Sequence, residues 1–577
     1  MPHLDKEFEA FLAKEANKHF KALPTDNHTE VVASSVQDNY TSRAYYKDFD
    51  IDNPPTSFND KLLHKENISP AVSGNGRQPE IYDSEPSSIP IERTHSLLHV
   101  PFQETANDHL DNLNQVLQHF SSFKHTSQIP VEQQSASYYF LKSTKTKQET
   151  GKVYNPFGDT DIKSVQRLPT AFDVYAIRQD FPILQEFVNG KNLVWLDNAA
   201  TTQKPQVVID RISQFYKKEN SNIHRAAHEL AARATDAYEE ARNIIKRFLN
   251  ATSANEIVFT RGTTEAINLI ANSWGDQHLS SDDEIIISHL EHHANIVPWQ
   301  QLSKKKGFRI RVIPVDDEGN LLIEEYAKLL SPKTKLVSFT HVSNALGTIT
   351  PVRKIIDLAH NAGAKVLLDG AQSVSHISVD LQELDPDFFV FSGHKIFGPT
   401  GIGVLYGKED LLNSTQPYQS GGNMIRDVTL ERTEFHNAPN RFEAGTGNIA
   451  DAVGLGAAIQ YVQRIGLDHI YRYEHELLDY ATTQLKQIAG VKLIGTAKEK
   501  TSVLSFTLAG YSNDEVGQAL NEVGIAVRTG HHCAQPILRR LGYESSVRPS
   551  LAFYNTYQEI DLLARTVDRL AWKAARY

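Results

Sequence analysis

The sequence predicts an α/β fold from residue 172 onward: a large, mostly parallel sheet followed by a smaller α+β lobe. Three observations carry that expectation. Short apolar runs of β type alternate with helix-like stretches, the order that builds a largely parallel sheet. Several of these runs empty into Gly, Asp, Ser or Asn, and parallel sheets bind their ligands at the carboxyl ends of their strands. Beyond about residue 440 the alternation changes to helix, strands and a closing helix.

Taken in order, residues 1–171 stand outside this pattern. They are rich in Ser, Asn, Gln, Asp, Lys and Pro, and such a stretch buries too little surface to offset its ordering entropy, so a largely disordered extension is expected. Two islands, one from Leu4 to Phe20 and one made of Leu110, Leu113, Val116, Leu117 and Phe120, have apolar residues at helical spacing. Short apolar islands in a polar chain are typical of segments that fold on a partner, so docking is the expected role.

The chain then reads as a helix at 174–181, a strand at 193–196, a long amphipathic helix at 228–249, a strand at 256–260 and a helix at 265–272. Further strands are expected at 284–288, 309–315, 335–341, 365–368, 388–391 and 403–406, with helices between most of them. The smaller lobe follows with a helix at 467–488, strands at 491–494, 503–508 and 524–528, and a helix from Thr556. The expected division is a large domain at about 192–438 and a small one made of 172–191 plus 439–577.

Composition bounds the function. A net charge of −11 argues against a nucleic-acid surface, no run is long and apolar enough to span a bilayer, and the first residues lack a signal-peptide pattern, so a cytoplasmic protein is expected. The single cysteine, Cys533, rules out an intramolecular disulfide and a cysteine zinc site. His292 and His293 are adjacent and diverge on a helix, with no carboxylate at ligand spacing, so no metal is expected.

The chemistry gathers at strand ends. The run 387–391 empties into Ser392-Gly-His-Lys395, placing one lysine among aromatic and glycine neighbours, where desolvation lowers its pKa and makes the amine a nucleophile able to form a Schiff base. The run 365–368 ends in Asp369-Gly-Ala-Gln372, a carboxylate that can keep a pyridine nitrogen protonated; a lysine and an aspartate so placed are what pyridoxal phosphate (PLP) requires. Gly262-Thr263-Thr264 opens a helix and, with Ser392 and His394, offers donors to a phosphate. His292 can stack on an aromatic cofactor and exchange protons, and Asn344 can hydrogen-bond the ring oxygen or the substrate. Arg548 suits a two-pronged hold on a carboxylate. Cys533 lies in a Gly-containing loop beside Arg528, His531 and His532, surroundings that favour thiolate over thiol.

These residues stand in an ordered set: Trp195-Leu-Asp-Asn-Ala-Ala, Asn222-Ile-His-Arg-Ala-Ala-His228, Arg261-Gly-Thr-Thr-Glu, Glu291-His-His-Ala-Asn-Ile-Val-Pro-Trp299, His341-Val-Ser-Asn-Ala-Leu-Gly-Thr348, Asp369-Gly-Ala-Gln372, Ser392-Gly-His-Lys395, Arg441-Phe-Glu-Ala-Gly-Thr446 and Arg528-Thr-Gly-His-His-Cys533. From about Val174 to the end the chain closely resembles the Suf-type (group II) cysteine desulfurases of the class V aminotransferase family. The resemblance implies the fold of PLP-dependent transferases of fold type I and a homodimer that converts L-cysteine to L-alanine. It further implies Lys395 as the Schiff-base lysine, Asp369 at the pyridine nitrogen, Gln372 at the phenolic oxygen and His292 on the ring. Thr263, Thr264, Ser392 and His394 would hold the phosphate, joined by Thr446 from the other subunit. Arg548, Asn344, His224 and Arg528 would bind substrate, and Cys533 would take the sulfur as a persulfide for an acceptor thiol or protein.

Two departures stand out. Ser420-Gly-Gly-Asn-Met424 replaces three consecutive glycines, and the extension 1–171 resembles the cargo-loading region of desulfurases packaged in encapsulin shells. A selenocysteine lyase or cysteine sulfinate desulfinase, and a structural cargo protein with a vestigial enzyme lobe, are the competing readings.

Overall fold

The structure, a computed structural model, describes residues 172–224 and 228–574. The two islands and the proposed docking segment within 1–171 lie outside the described residues.

Seven strands form the main sheet: β1 (Ile257–Thr260), β2 (Glu284–Ser288), β3 (Arg309–Ile313), β4 (Thr334–Thr340), β5 (Lys365–Asp369), β6 (Phe388–Ser392) and β7 (Gly403–Gly407). They lie in the order β1-β7-β6-β5-β4-β2-β3; β7 runs antiparallel to both neighbours and every other pairing is parallel. Alternate residues of the central strands feed different cores: Val366 and Leu368 of β5 and Phe389 and Phe391 of β6 face one, Leu367, Phe388 and Val390 the other. Both faces are therefore covered, which explains why these strands read as unbroken apolar runs.

Helices α1 (Gln206–Lys218), α2 (Glu229–Phe248) and α4 (Ile449–Ile465) pack together, α4 touching the other two, and α3 (Thr263–Ile270) follows β1 directly. A second sheet comprises β8 (Val491–Ile494), β9 (Ser505–Leu508), β10 (Arg528–Gly530) and β11 (Ser546–Arg548), in the antiparallel order β8-β9-β11-β10. Helices α5 (Leu467–Lys486) and α6 (Tyr557–Ala574) share its core. The strand expected at 193–196 is a two-residue strand, Val194–Trp195, paired in parallel with Ile525–Ala526. Just beyond it, the Ser550 hydroxyl accepts the Ala199 amide at 2.8 Å, and the Ser550 amide donates to the Leu196 carbonyl at 2.7 Å. Segment 194–199 is thus tied to Ile525–Ala526 and to the chain just after β11.

Where β7 crosses the start of α3, two backbones nearly touch. A Cβ added to Gly403 would come within 2.4 Å of the Gly262 Cα and 2.7 Å of the Phe391 carbonyl oxygen. Gly262 itself sits at φ 155°, a region that L side chains rarely adopt. Gly403→Ala is expected to cost about 1–3 kcal/mol, the usual penalty of overpacking, and to lower the urea midpoint without changing its slope.

Candidate active site

The carboxyl ends of the main sheet and one edge of the smaller sheet enclose a cavity of about 590 Å³. Its walls bring together Thr263, Thr264, His292, Asn344, Asp369, Gln372, Ser392, His394, Lys395, Arg528, Cys533 and Arg548, drawn from separate strand ends and loops. Two expected site residues lie elsewhere. Thr446 is exposed and lines a separate depression with Asn222. His224 sits between Glu239, 2.9 Å from its Nε2, and Asn423, 3.4 Å from its Nδ1, and does not line the cavity. Asn423 belongs to the Ser420–Met424 departure; at φ 68° it adopts a left-handed conformation, and its amide donates to the Glu443 carbonyl at 3.0 Å.

Lys395 closes a single helical turn, Gly393–Lys395, that β6 runs into. The turn is clamped from outside: the His394 carbonyl accepts the Thr202 amide at 3.0 Å and the Thr201 hydroxyl at 3.1 Å. Burial pushes the Lys395 amine down to about 8, with Asp369 pulling the other way and Arg548 adding to the depression. Asp369 ends β5, accepts the Ala371 amide at 2.9 Å and is held above the usual carboxylate range by burial, opposed by that amide and by Lys395. A buried carboxylate in this state gains from a cationic partner.

The His292 ring is fixed by its own turn, its Nδ1 accepting the Ala294 amide at 3.1 Å, which leaves the ring proton on Nε2. Burial, reinforced by Lys395, His293 and Arg548, lowers its pKa to about 3, so the ring is uncharged near neutrality. Beneath it lies a hub that the sequence reading missed. The buried Glu291 binds the Ser288 hydroxyl, the Asn295 amide at 2.7 Å and the Thr340 amide at 3.0 Å, and burial raises it to about 8. Where α3 begins, the Thr263 amide donates to the Ser392 hydroxyl oxygen at 2.9 Å, and that hydroxyl donates to Thr263 Oγ1 at 2.9 Å. Thr264 is exposed at the N-terminus of α3, where free amides and the helix dipole favour an anion.

On the opposite wall, His532 and Cys533 both take left-handed backbone conformations, φ 53° and 52°. Three bonds hold this loop: the His293 amide to the Cys533 carbonyl at 2.8 Å, the Asn344 amide to the His532 carbonyl at 2.8 Å, and His532 Nε2 to the Ser546 hydroxyl at 2.8 Å. None uses the cysteine side chain, which is exposed. Arg548 is 2% exposed, donates to the Asn344 carbonyl at 3.0 Å and meets Asp197 at 3.2 Å. Asp197 was not foreseen either: it sits in a motif the sequence reading quoted, but nothing local says which cations it faces.

The cavity suits PLP. The donor set of Thr263, Thr264 and Ser392 fits a phosphate, and Asp369, which has no direct ion pair among the described residues, suits a protonated pyridine nitrogen. Among the described residues, Asn344 Oδ1 and Arg548 Nε find no hydrogen-bond partner although buried, as expected where a ligand supplies one. Gln372 is buried, with its amide already donating to the Ala199 carbonyl at 2.6 Å.

The chain is similar to proteins named as cysteine desulfurases. A cysteine desulfurase of Synechococcus elongatus is 69% identical over 399 residues, covering 69% of this chain and 64% of its own length. A probable cysteine desulfurase of Mycolicibacterium paratuberculosis is 66% identical over 400 residues, covering 69% and 58%. The chain thus spans less than two thirds of the length of these two relatives. It covers 98% of a cysteine desulfurase of Salmonella agona, at 51% identity over 400 residues and 69% of this chain. Among solved structures, an apo cysteine desulfurase of Thermococcus onnurineus superposes with a TM-score of 0.67 at 37% identity, covering 71% of this chain and all of the other. A cysteine desulfurase of Escherichia coli gives 0.65 at 36%, covering 70% and 99%. The fold is therefore that of PLP-dependent transferases of fold type I. Residues 194–563 match the family described as Aminotransferase class-V, and the chain belongs to that PLP-dependent family.

Proposed function

We propose that the chain is a Suf-type cysteine desulfurase that converts L-cysteine to L-alanine and takes the sulfur onto Cys533 as a persulfide. The observation carrying this reading is that Cys533, the sole cysteine, is exposed on the wall of the cavity that holds Lys395 and Asp369. Relatives named as cysteine desulfurases at 51% and 69% identity support it.

In this proposal Lys395 binds PLP through its amine, Asp369 keeps the pyridine nitrogen protonated, Gln372 meets the phenolic oxygen and His292 stacks on the ring. Thr263, Thr264, Ser392 and His394 hold the phosphate, and Thr446 reaches it from the second subunit of a homodimer. Bound there, PLP supplies an electron-accepting ring that stabilises negative charge at the substrate Cα. The remaining work falls to the chain itself. Arg548 and Asn344 orient the substrate carboxylate, and the substrate set extends to Arg528 and to His224, which lies outside the cavity of its own chain. Lys395 Nζ, which burial brings to about 8 in the cofactor-free chain, accepts the Cα proton and returns it to Cα before alanine departs. Cys533 Sγ takes the sulfur: the substrate C–S bond breaks, an S–S bond forms, the thiol proton passes to Cβ and alanine departs. Intact-mass analysis after incubation with L-cysteine is expected to find one added sulfur on the peptide containing Cys533; an unmodified peptide during turnover would overturn the persulfide.

No helix among the described residues is long and apolar enough to cross a membrane, in keeping with a cytoplasmic enzyme. We assign catalysis to residues 172–577, divided into domains as the sequence suggests, and assign residues 1–171 to docking on an encapsulin shell. The polar, Pro- and Ser-rich character of that segment, broken by two short apolar islands, supports the assignment. Deleting residues 1–171 is expected to leave cysteine turnover unchanged, since every site residue named above lies beyond position 171, and to abolish loading in a co-expressed shell. Loading that survives the deletion would refute the docking role.

A further inference from the structure

The turn that carries Lys395 has a second cation behind it. The ammonium of Lys204 is half-buried and donates to the Thr202 carbonyl, to the His394 carbonyl at 3.3 Å and to the Thr201 hydroxyl at 3.5 Å; no carboxylate among the described residues pairs with it. A cation drawn from water without a counter-ion is costly. Burial lowers the Lys204 pKa to about 8, which still leaves it charged at pH 7. Its three partners carry no charge, so the ammonium stays electrically unmatched.

Two of those partners, Thr201 and His394, line the cavity. The His394 carbonyl collects four donors: the Thr202 amide at 3.0 Å, the Thr201 hydroxyl at 3.1 Å, the Thr202 hydroxyl at 3.0 Å and Lys204. The His394 ring feels the charge as well. Burial chiefly, then Lys395 and Lys204, lower its pKa to about 4, so the ring is neutral at pH 7. The other groups assigned to the phosphate, Thr263, Thr264 and Ser392, offer only hydroxyls and amides. The N-terminus of α3 adds about half a positive charge, whereas a phosphate ester carries about two negative ones near neutrality.

We propose that Lys204 is a positioning residue of the cofactor site: from behind the Lys395 turn it supplies positive charge that the phosphate donors lack, and so favours the phosphorylated form of the cofactor over the unphosphorylated one. It need not touch the anion. A charge acting through protein meets a lower effective dielectric than in water, and one ammonium placed in this way changes an anion's affinity by about tenfold. This inference rests on the assignment of the phosphate to Thr263, Thr264, Ser392 and His394, and on nothing about sulfur.

PLP and pyridoxal differ only in the phosphate, and together they separate the charge from the fold. Both bind the same lysine, so a turn that is merely displaced loses both alike. The full-length chain is emptied of cofactor, and the Kd of each compound is read from the visible absorbance that it gains on binding. The unaltered chain is expected to favour PLP strongly. In Lys204→Met that preference should fall by about tenfold, with pyridoxal binding unchanged. Lys204→Gln, which keeps an N–H donor but no charge, should behave as the methionine variant does, and Lys204→Arg should retain the preference. The glutamine and arginine variants decide the matter even if Lys204→Met fails to fold. Equal weakening of both compounds in Lys204→Gln, with the preference intact, would make the residue a structural clamp and overturn the proposal. No preference for PLP in the unaltered chain would instead sink the assignment of the phosphate donors, and the proposal with it.

Discussion

On the proposed function, Lys395→Ala is expected to slow cysteine turnover by about 10³-fold or more, because in that proposal it removes both the cofactor's covalent attachment and the group that moves the Cα proton. Borohydride should fix cofactor mass onto the unaltered chain and none onto the variant. The loss should not come from misfolding. The turn carrying the lysine is clamped through backbone groups, with Thr201 and Thr202 bonded to the His394 carbonyl, and none of these bonds needs the amine. Burial lowers the amine to about 8 from 10.5, so in the cofactor-free protein it passes from ammonium to free amine near pH 8. Capture of added PLP should accelerate as pH rises through that value. The linkage has a definite sign: between about 8 and 10.5 the unfolded chain holds the proton that the folded one has released, so the cofactor-free protein gains stability as pH rises across that window. Lys395→Met removes the buried charge and is expected to flatten that gain while stabilising the cofactor-free protein at pH 7. Turnover surviving in Lys395→Ala, or a borohydride adduct in it, would move the reactive amine elsewhere in the chain.

Much of the fold was legible because its main sheet is buried on both faces. Runs such as Val366-Leu-Leu368 and Phe388-Phe-Val-Phe391 have no polar face to blur them, and each appears as a strand close to its expected bounds. The smaller lobe was harder to read. Ser546–Arg548 forms a strand of three buried residues that pairs with two others, yet its serine and arginine carry no β signal. The hairpin Ile425–Val428 with Thr433–Phe435 is mostly exposed and charged, and only its pairing marks it.

The site divides along a similar line. Lys395, Asp369, His292 and Cys533 could be grouped from sequence because each follows a recognisable run or loop, and the cavity wall brings all four together. Asp197 and Glu291 could not be assigned roles: Asp197 meets arginines more than 300 positions away, and Glu291, though bonded to Ser288 and Asn295 nearby, is tied to the sheet by Thr340 on a neighbouring strand. Spacing within one segment cannot report a contact that only the closed fold creates. The same limit applies to His224 and Thr446, whose motifs are plain but whose own chain does not carry them to the cavity.

Cys533→Ala should separate the two halves of the site. The variant is expected to keep the yellow colour of the bound cofactor and its borohydride adduct, while sulfide release from L-cysteine falls by about 10²-fold or more, the scale of losing an attacking group. Folding should be nearly untouched, within about 0.5 kcal/mol, because the side chain is exposed and truncating it opens no cavity. The loop keeps its shape, since the bonds from His293, Asn344 and Ser546 reach only backbone groups or His532. Cys533→Ser adds a sharper control: the hydroxyl fills nearly the same volume but cannot hold a sulfur chain, so it should be as inactive as alanine. Turnover unchanged in both variants would mean that sulfur leaves without passing through this thiol. The cavity would then belong to a lyase that needs no cysteine nucleophile, and the exposed position of Cys533 opposite Lys395 would lose its catalytic meaning.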